Sequence, residues 1–363
     1  MTTPARGTAV QLLGPSTGGI RNHVTTLAAG LRGLGWSAPV LGPAGVLDGI
    51  GELDGVVPVP AGLSPTGLLA ARQEVRPWRA DDPVLHAHGL KAAWTLVGGR
   101  PRRPVVMTQH NVVLDQSAGR SADLQRRLER EVLKRVDRVV APTPHLAEAL
   151  AGTVPADRVR VVVPCFPRPV PTASRAEVRH RLGLSDDTPL VVSVTRLHPQ
   201  KDLTTLVAAW SGVVARVPDA QLVVVGEGPA RPEVEAAVAA AGLERSVHLV
   251  GARPRAADEL AAADVAVLTS VWEAIPIVLA EALLLGVPVV STDVGMASDL
   301  MGDGTGGRVV PVGDAEAVAD GLVALLEDPD RATVGRAGQV RAEQVFDPDA
   351  LVAGVAAVYE ELV

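Results

Sequence analysis

The stretch ADVAVLTSVWEAIPIVLAEALLLGVPVVSTDVG, residues 263–295, joins two short apolar runs through a segment of helical length. The runs ADVAVL and VPVVST are apolar on both faces, which is typical of strands in a parallel sheet that helices cover on each side. Pro276 suits the first turn of the helix between them. The stretch therefore predicts a strand, a helix and a second strand parallel to the first.

The same alternation of short Val- and Leu-rich runs with longer helical patterns extends over almost the whole chain of 363 residues. That length is natural for two domains. After Val163, the segment CFPRPVPTASRAE interrupts the alternation with three prolines. We predict two doubly wound, Rossmann-like α/β domains facing each other across a cleft. The first covers residues 1–168 and the second 169–345, and a helix over 346–363 packs back on the first domain.

Composition and charge limit the class of function. The net charge of −7 and the pI of about 5.7 argue against a nucleic-acid partner. The charge is uneven, because residues 1–168 hold 20 Lys and Arg against 13 Asp and Glu, while the remainder holds 14 against 28. Cys165 is the only cysteine, and neither a signal-peptide pattern nor an apolar run of 18 residues opens the chain. We expect a cytoplasmic protein, or one peripheral at the inner membrane face.

Two acidic residues stand in the apolar surroundings of the quoted stretch. Glu281 falls one turn after Ile277 and one turn before Leu284, in the middle of the apolar face of the predicted helix. Glu273 precedes that helix, where exposed amides favour an acid. An unpaired buried carboxylate is costly. Either these are a helix-start acid and a glutamate at the edge of a crevice, or both accept hydrogen bonds from hydroxyl groups of a ligand.

Two further segments carry groups suited to anions. Arg196 and Lys201, in VTRLHPQKDL, follow a predicted strand and match the charge of a diphosphate. Lys201 is the only lysine after Lys134, in a chain with 31 arginines and 3 lysines. Gly18 and Gly19 follow the first predicted strand and permit a tight turn with exposed amides near a helix start. The alternatives are a solvated basic loop and an ordinary turn.

Taken in order, the motifs of the chain resemble those of a known family. The segments VTRLHPQKDLTTLV, LVVVGEGP, EAIPIVLAEALLLGVPVVSTDVG and GGRVVPVGDAEAVADGLVALLEDP look like the second domain of the retaining glycosyltransferases of family 4, which have the GT-B fold. The first half agrees, with its Gly-Gly turn and the segments VLHAHG, VVMTQHN and RVVAPTPHLAEAL. The resemblance covers nearly the whole chain and is specific as an ordered set, although no single motif is.

The resemblance implies a donor site. Glu273 and Glu281 have the spacing of the family's Glu-x7-Glu motif, so Glu281 would bind the ribose of a nucleotide and Glu273 would meet the transferred sugar. Arg196 and Lys201 would bind the diphosphate. The implied donor-binding residues are Gly18, Gly19, Arg196, Lys201, Glu273, Ala274, Ile275, Pro276, Ile277, Val278 and Glu281, and the implied catalytic residues are His110, Arg196, Lys201 and Glu273.

Three histidines follow or lie in neighbouring predicted strands of the first domain. His110, in VVMTQHN, matches the family position that faces the donor sugar, where its imidazole or backbone would hydrogen-bond a sugar hydroxyl. His86 and His88, in VLHAHG, we interpret as part of the wall of the cleft.

The reaction implied is transfer of a hexosyl group from a nucleotide diphosphate sugar, expected to be UDP-linked, to an acceptor hydroxyl with retention of configuration. The acceptor would attack on the face from which the nucleotide leaves, and the leaving phosphate would take its proton. No Asp-x-Asp pair ends a predicted strand, so we expect no metal, and no cofactor besides the donor as co-substrate. A catalytically inactive nucleotide-sugar-binding subunit is the alternative; a two-domain sugar-nucleotide epimerase fits the Glu-x7-Glu and Arg/Lys sets poorly.

Departures from the family pattern leave the donor sugar and the acceptor open. Thr195 and Ala274 stand where the family usually has glycine, and residues 164–166 replace its Pro-Asn-Gly turn. The acceptor is expected to be a small soluble sugar, a cyclitol or a natural product, or else a lipid-linked acceptor in a membrane. The basic segment 121–135 would be a membrane-binding amphipathic helix in the second case and a solvated face in the first.

Overall fold

A computed structural model describes residues 6–16, 19–62, 64–99, 102–110, 122–254 and 256–363. The chain divides into two compact units. The first comprises Met1–Phe166 together with Phe346–Val363, and the second comprises Pro167–Val345. None of the helices in the described part of the chain combines the length and the apolar character that a membrane crossing requires.

The first unit contains an eight-stranded sheet in which every pairing is parallel. Its strands are β1 (Gly7–Leu13), β2 (Trp36–Ser37), β3 (Val40–Gly42), β4 (Gly55–Val56), β5 (Val84–His88), β6 (Val105–Thr108), β7 (Arg138–Ala141) and β8 (Val159–Val161). Seven of them follow the order β4-β3-β1-β5-β6-β7-β8, and β2 pairs with β1. Strands β1, β5 and β6 are therefore neighbours, and their carboxyl ends lie at one edge.

Helices cover both faces of this sheet. Because successive residues of a strand point to opposite faces, β1 places Ala9 and Leu13 in one apolar cluster and Val10 and Leu12 in another. The described helices before the second unit are α1 (Gly19–Gly33), α2 (Pro65–Val75), α3 (Leu90–Leu96), α4 (Ala122–Leu133) and α5 (Pro144–Ala149).

The second unit contains a six-stranded parallel sheet. Its strands are β9 (Leu190–Val194), β10 (Gln221–Val225), β11 (Val247–Gly251), β12 (Val265–Leu268), β13 (Val289–Thr292) and β14 (Gly307–Val310), in the order β11-β10-β9-β12-β13-β14. The strand order reverses beside β9, because β10 and β12 pair with it on opposite sides. In open parallel sheets such a reversal creates a crevice at the carboxyl ends of the strands.

The helices of the second unit complete the strand–helix–strand units. They are α6 (Arg175–Arg181), α7 (Leu203–Val214), α8 (Arg231–Ala240), α9 (Ala256–Ala262), α10 (Ile277–Leu284), α11 (Ala297–Met301), α12 (Ala315–Glu327) and α13 (Arg331–Val345). The quoted stretch folds as predicted into β12, α10 and β13, with the two strands parallel. Trp210 of α7 is fully buried in the core of this unit, and its indole N–H donates a 3.1 Å hydrogen bond to Ser246 Oγ.

The last helix, α14 (Pro348–Glu360), belongs to the first unit and packs against α1. A Cβ atom at Gly30 would lie 2.3 Å from Val352 Cγ2, so the two helices approach closely only because that residue is glycine. The buried Tyr359 reaches into the sheet, where its hydroxyl accepts a 3.1 Å hydrogen bond from Gln11 Nε2 and lies 2.6 Å from His86 Nδ1. The helix is therefore linked through Tyr359 to β1 and β5, which are neighbours in the first sheet.

Candidate functional site

A cavity of about 460 Å³ opens at the carboxyl ends of β9, β10 and β12 in the second unit. The loop after β9 contributes Thr195, Arg196 and Lys201, and the loop after β10 contributes Gly226 and Glu227. The loop after β12 and the start of α10 form another wall of the cavity. Its residues are Glu273, Ile275, Pro276, Ile277 and Val278. The cavity lies at the strand-order reversal, where α/β sheets bind ligands.

Two glycines bring the loops after β9 and β10 together. Gly226 has a φ of +149°, and a Cβ atom there would lie 1.7 Å from the carbonyl oxygen of Thr195. A Cβ atom at Gly228 would lie 2.2 Å from the carbonyl oxygen of Leu197. Any side chain at either position would therefore push the backbone beside Arg196 out of place.

Lys201 and Glu273 form an ion pair on the wall of the cavity, with 16% and 11% of their side chains exposed. Lys201 Nζ donates to Glu273 Oε1, which also accepts a 2.8 Å hydrogen bond from Ser270 Oγ. The carboxylate is thus held by two donors on one oxygen, so its orientation is fixed before any ligand arrives.

Backbone and amide hydrogen bonds hold this ion pair in place. The amide N–H of Val271 donates to the carbonyl of Gln200 at 2.9 Å, and Gln200 Nε2 donates to the carbonyl of Trp272 at 2.7 Å. Thr269 Oγ1 donates to the carbonyl of Lys201 at 3.0 Å. Together these bonds join the loops after β9 and β12, which are about 70 residues apart in sequence.

Arg196 differs from Lys201, since its side chain is exposed at the cavity. In the described part of the chain, no ion pair involves its guanidinium. A guanidinium that has no carboxylate partner beside an open cavity is available to an anionic ligand.

The N-terminus of α10 adds amide groups to the same wall. Pro276 is the N-cap residue, and no side chain of the described residues accepts a hydrogen bond from the first-turn amides. Ile277 and Val278, the first two residues of the helix, line the cavity. Free amides and the helix dipole make such a terminus favourable for anions. Gly295 packs closely against this helix start. A Cβ atom there would lie 2.8 Å from Pro276 Cδ, so a larger residue would displace the loop.

Glu281 lies one turn further into α10, and the described residues that line this cavity do not include it. It is half-buried between the buried residues Ala280 and Ala282. Burial raises the pKa of its carboxyl group. Among the described residues, no hydrogen-bond donor or cation offsets that cost. The half-buried acid that the sequence places in this helix therefore has no protein partner there.

In the first unit, His110 follows β6 and Gly19 opens α1, whereas Gly18 lies outside the described residues. The ring of His110 is stacked on His88 with centroids 5.7 Å apart and meets His23 edge-on at 5.2 Å. Burial is the main cause that holds the pKa of His110 well below its usual value. At neutral pH, His110 is therefore an uncharged imidazole.

His86 does not form part of a cleft wall, contrary to our interpretation of the sequence. It is fully buried, with Nδ1 2.6 Å from the hydroxyl of Tyr359 and Nε2 2.8 Å from Thr108 Oγ1. His88 is also buried, at 2% exposure, but it contacts His110. The pattern HAH on one strand predicts a shared face, but it does not tell which helix covers that face.

Sequence reasoning assigned no role to several residues that surround the predicted ones. Glu227 and Arg253 line the cavity of the second unit, and Gly226 shapes it. The motif GEGP signals the two close-approach glycines, but nothing in the sequence marks Arg253. His23 of α1 contacts both His88 and His110 and was equally unassigned.

A second cavity, of about 470 Å³, lies in the first unit. Its lining is largely apolar, with the indole of Trp94, and Lys91 is its basic residue. Leu128 of α4 forms part of this wall, so the helix that follows His110 in sequence contributes to the cavity. The residues lining it are Pro60, Ala61, Gly62, Ser64, Pro65, Leu68, Leu90, Lys91, Trp94 and Leu128.

Two sequence profiles match the chain. Glycosyltransferase Family 4 matches residues 17–166, and Glycosyl transferases group 1 matches residues 174–341. The chain is 31% identical to a D-inositol 3-phosphate glycosyltransferase of Xylanimonas cellulosilytica, over 98% of this chain and 88% of that one. It is 30% identical to a phosphatidyl-myo-inositol mannosyltransferase of Mycolicibacterium smegmatis, over 94% and 90%. The crystal structure of Anabaena Alr3699/HepE in complex with UDP superposes with a TM-score of 0.82 at 22% identity, over 98% and 100%.

The two parallel-sheet domains and the similarity to solved structures define a GT-B fold, and the relatives define a nucleotide-sugar-dependent glycosyltransferase. More specifically, the chain belongs to glycosyltransferase family 4 and is a hexosyltransferase.

Proposed function

We propose that this protein transfers a hexosyl group from a UDP-sugar to a hydroxyl of a cyclitol acceptor, with retention of configuration and without a metal ion. The observation that carries the donor assignment is the grouping of Arg196, Lys201 and the uncapped start of α10 around one cavity. A diphosphate needs both point charges and amide donors, and this cavity offers both.

The donor lies in a definite order, partly in this cavity and partly beyond it along α10. The diphosphate lies against Arg196 and the amides of Ile277 and Val278. The ribose hydroxyls donate hydrogen bonds to Glu281. They are the hydrogen-bond partners that this half-buried carboxylate otherwise lacks. Glu273, oriented by Lys201 and Ser270, accepts from hydroxyls of the transferred sugar. The choice of uridine follows the solved neighbour, which is in complex with UDP.

In the reaction, the bond between the anomeric carbon and the diphosphate oxygen breaks while the acceptor oxygen forms a new bond on the same face. The acceptor proton passes to the leaving phosphate, so no side chain has to act as base. Arg196, Lys201 and the helix amides stabilise the charge that develops on the leaving group, a fixed electrostatic arrangement that requires no metal. His110, uncharged at neutral pH, hydrogen-bonds the sugar without repelling the positive charge at the anomeric carbon.

The cyclitol acceptor is supported by the relatives. Two relatives aligned over most of the chain are named for D-inositol 3-phosphate and phosphatidyl-myo-inositol. Both compounds contain an inositol ring. One is a soluble phosphate ester and the other a lipid. We favour the soluble class, because Val132 and Leu133 of α4 are buried in the core of the first unit and are not available to a membrane. Lys134 and Arg135 beside them pair with Glu131.

Mass spectrometry tests the proposal. The purified protein is incubated with UDP-, GDP- and ADP-linked hexoses and a panel of inositol, inositol phosphate, aminocyclitol and sugar acceptors, and products are detected by the mass of the added hexose. Anomeric coupling constants from NMR of the product report retention or inversion. Transfer from UDP-sugars to a cyclitol with retention is expected, and inversion or strict preference for another base contradicts the proposal.

The alternative function is a nucleotide-sugar-binding subunit without turnover. The two differ in a simple measurement, since a transferase hydrolyses its donor slowly when no acceptor is present. Tight UDP-sugar binding by calorimetry with neither hydrolysis nor transfer would favour the subunit.

A further inference from the structure

Three imidazoles converge at the carboxyl edge of the first unit's sheet, those of His23 and His88 buried and that of His110 half-buried. His23 comes from the first turns of α1, His88 ends β5, and His110 follows β6. Each offers one ring nitrogen, and these three nitrogens lie within 4.8 Å of one another. The cluster therefore unites residues from three separate segments of the chain around one point.

Most ring nitrogens of this cluster have no hydrogen-bond partner among the described residues. They are both nitrogens of His23, Nδ1 of His88 and Nε2 of His110. Buried polar atoms of native proteins are nearly always paired, and each unpaired one is costly. Several unpaired nitrogens that face one another therefore indicate a ligand that accepts their lone pairs.

The hydrogen bonds of Gln11 fix the tautomer of His88. Gln11 Nε2 donates to the carbonyl of Ala9 at 2.9 Å and to the hydroxyl of Tyr359 at 3.1 Å. Its Oε1 must therefore accept, and His88 Nε2 is the donor at 3.0 Å. With the proton on Nε2, Nδ1 carries a free lone pair and belongs to the unpaired atoms of the cluster. A carbonyl that orients a histidine through its other nitrogen is the usual outer partner of a metal ligand.

We propose that His23, His88 and His110 form a binding site for one divalent transition-metal ion of the Zn²⁺ type. Imidazole is a preferred ligand of zinc, and three histidines leave a fourth position for water. Zn–N bonds of about 2.0–2.1 Å place tetrahedral ligand atoms roughly 3.4 Å apart. The three nitrogens, which lie within 4.8 Å of one another, must therefore approach one another by up to about 1.4 Å.

The ion would act as an inhibitor and not as a catalyst. Coordination takes the imidazole of His110 away from the sugar that it faces in the proposed function, so occupancy of the site blocks transfer. This consequence rests on the proposed function, whereas binding of the ion does not. It is also consistent with a reaction that needs no metal, because the ion is absent from the active form.

Binding is measured first, on the full chain without tags. Competition with a chromophoric zinc chelator gives the affinity and the stoichiometry, for which one Zn²⁺ per chain is expected. His23→Leu and His88→Leu should each weaken binding by more than about 100-fold, and Gln11→Leu, which removes the outer partner, by about tenfold. The matched control is His145→Ala, since His145 is an exposed histidine of the same unit and lies outside the cluster; it should leave the affinity unchanged.

Wild-type protein alone also tests the site, in case a core variant fails to fold. X-ray absorption at the zinc edge should show three imidazole ligands, and Co²⁺ should give the visible bands of a four-coordinate ion. Fewer than three imidazoles, or zinc affinity that His145→Ala reduces as much as His23→Leu does, would overturn the proposal.

The activity measurement separates this proposal from the proposed function. The ratio of transfer rates with and without Zn²⁺ should fall at least tenfold in wild type and much less in His23→Leu. Three-imidazole binding without any effect on a measurable transfer rate would overturn the inhibitory role. Three-imidazole binding in a protein that transfers no sugar would count against the proposed function and support the metal site.

Discussion

Replacing Glu281 with alanine separates the effect of this carboxylate on the free protein from its effect on the complex. In the free protein the carboxyl group is half-buried without a partner among the described residues. Because Glu281 is only half-buried, removing its carboxylate gains about 1 kcal/mol, the low end of the cost of an unsatisfied buried polar group. The one CH₂ group lost with it costs about 0.8 kcal/mol when buried. We therefore expect the free energy of unfolding to change by about 1 kcal/mol or less.

The complex should respond much more strongly. Two ribose hydroxyls donating to an ionised carboxylate contribute about 1.5 kcal/mol each at the lower end of charge-assisted hydrogen bonds. Their loss totals about 3 kcal/mol, or roughly a 100-fold weaker Kd for UDP. Calorimetry with UDP measures this change, and Glu316→Ala, an exposed glutamate of α12, is the matched control. A 2′-deoxy nucleotide should bind more weakly than UDP to wild type but equally with UDP to Glu281→Ala.

The pH dependence of stability provides an independent check on the same residue. Since burial raises the folded-state pKa of Glu281 above its usual 4.5, the carboxyl group stabilises the fold below pH 4.5. That contribution is lost as the pH rises through the folded-state pKa. Glu281→Ala should thus gain stability relative to wild type as the pH rises above 4.5 in urea unfolding. Unchanged affinity for the free nucleoside diphosphate would refute the assignment of Glu281 to the ribose.

Three other predictions follow from the site. Glu273→Ala should lower kcat about 100-fold with little loss of UDP affinity, since the carboxylate meets only the sugar; a change confined to UDP binding would contradict this. Transfer should continue in EDTA, and complete loss that Mg²⁺ or Mn²⁺ restores would overturn metal independence. The protein should not co-sediment with anionic or neutral vesicles; binding to anionic vesicles only, weakened by salt and lost when Arg126, Arg127 and Arg130 become Gln, would instead indicate a membrane acceptor.

The parts of the structure that local pattern determines could be predicted from the sequence. The apolar runs around residues 265–268 and 289–292 form adjacent parallel strands, because strands buried on both faces leave few other arrangements. Pro276 marks the start of α10, since its fixed φ and missing N–H suit a first turn. Arg196 and Lys201 line a common cavity, because both follow the same strand.

Long-range pairing could not be predicted in the same way. The ion pair of Lys201 with Glu273 joins loops that follow β9 and β12, and only the strand order brings those loops together. Burial of His86 against Tyr359 depends on a residue 273 positions further along the chain. The meeting of His23 with His88 and His110 likewise requires that β1, β5 and β6 be neighbours, which spacing in the sequence does not encode.

The return of α14 to the first unit bears on the order in which the protein folds as it is synthesised. Residues 6–166 leave the ribosome first, but their sheet lacks Tyr359 and the apolar face of α14 until more than 180 further residues have been added. The second unit is continuous from Pro167 to Val345 and has its complete core before then. Domains usually fold in the order of synthesis. Here the domain that begins first finishes last, and Gln11 and His86 remain without their tyrosine partner throughout that interval.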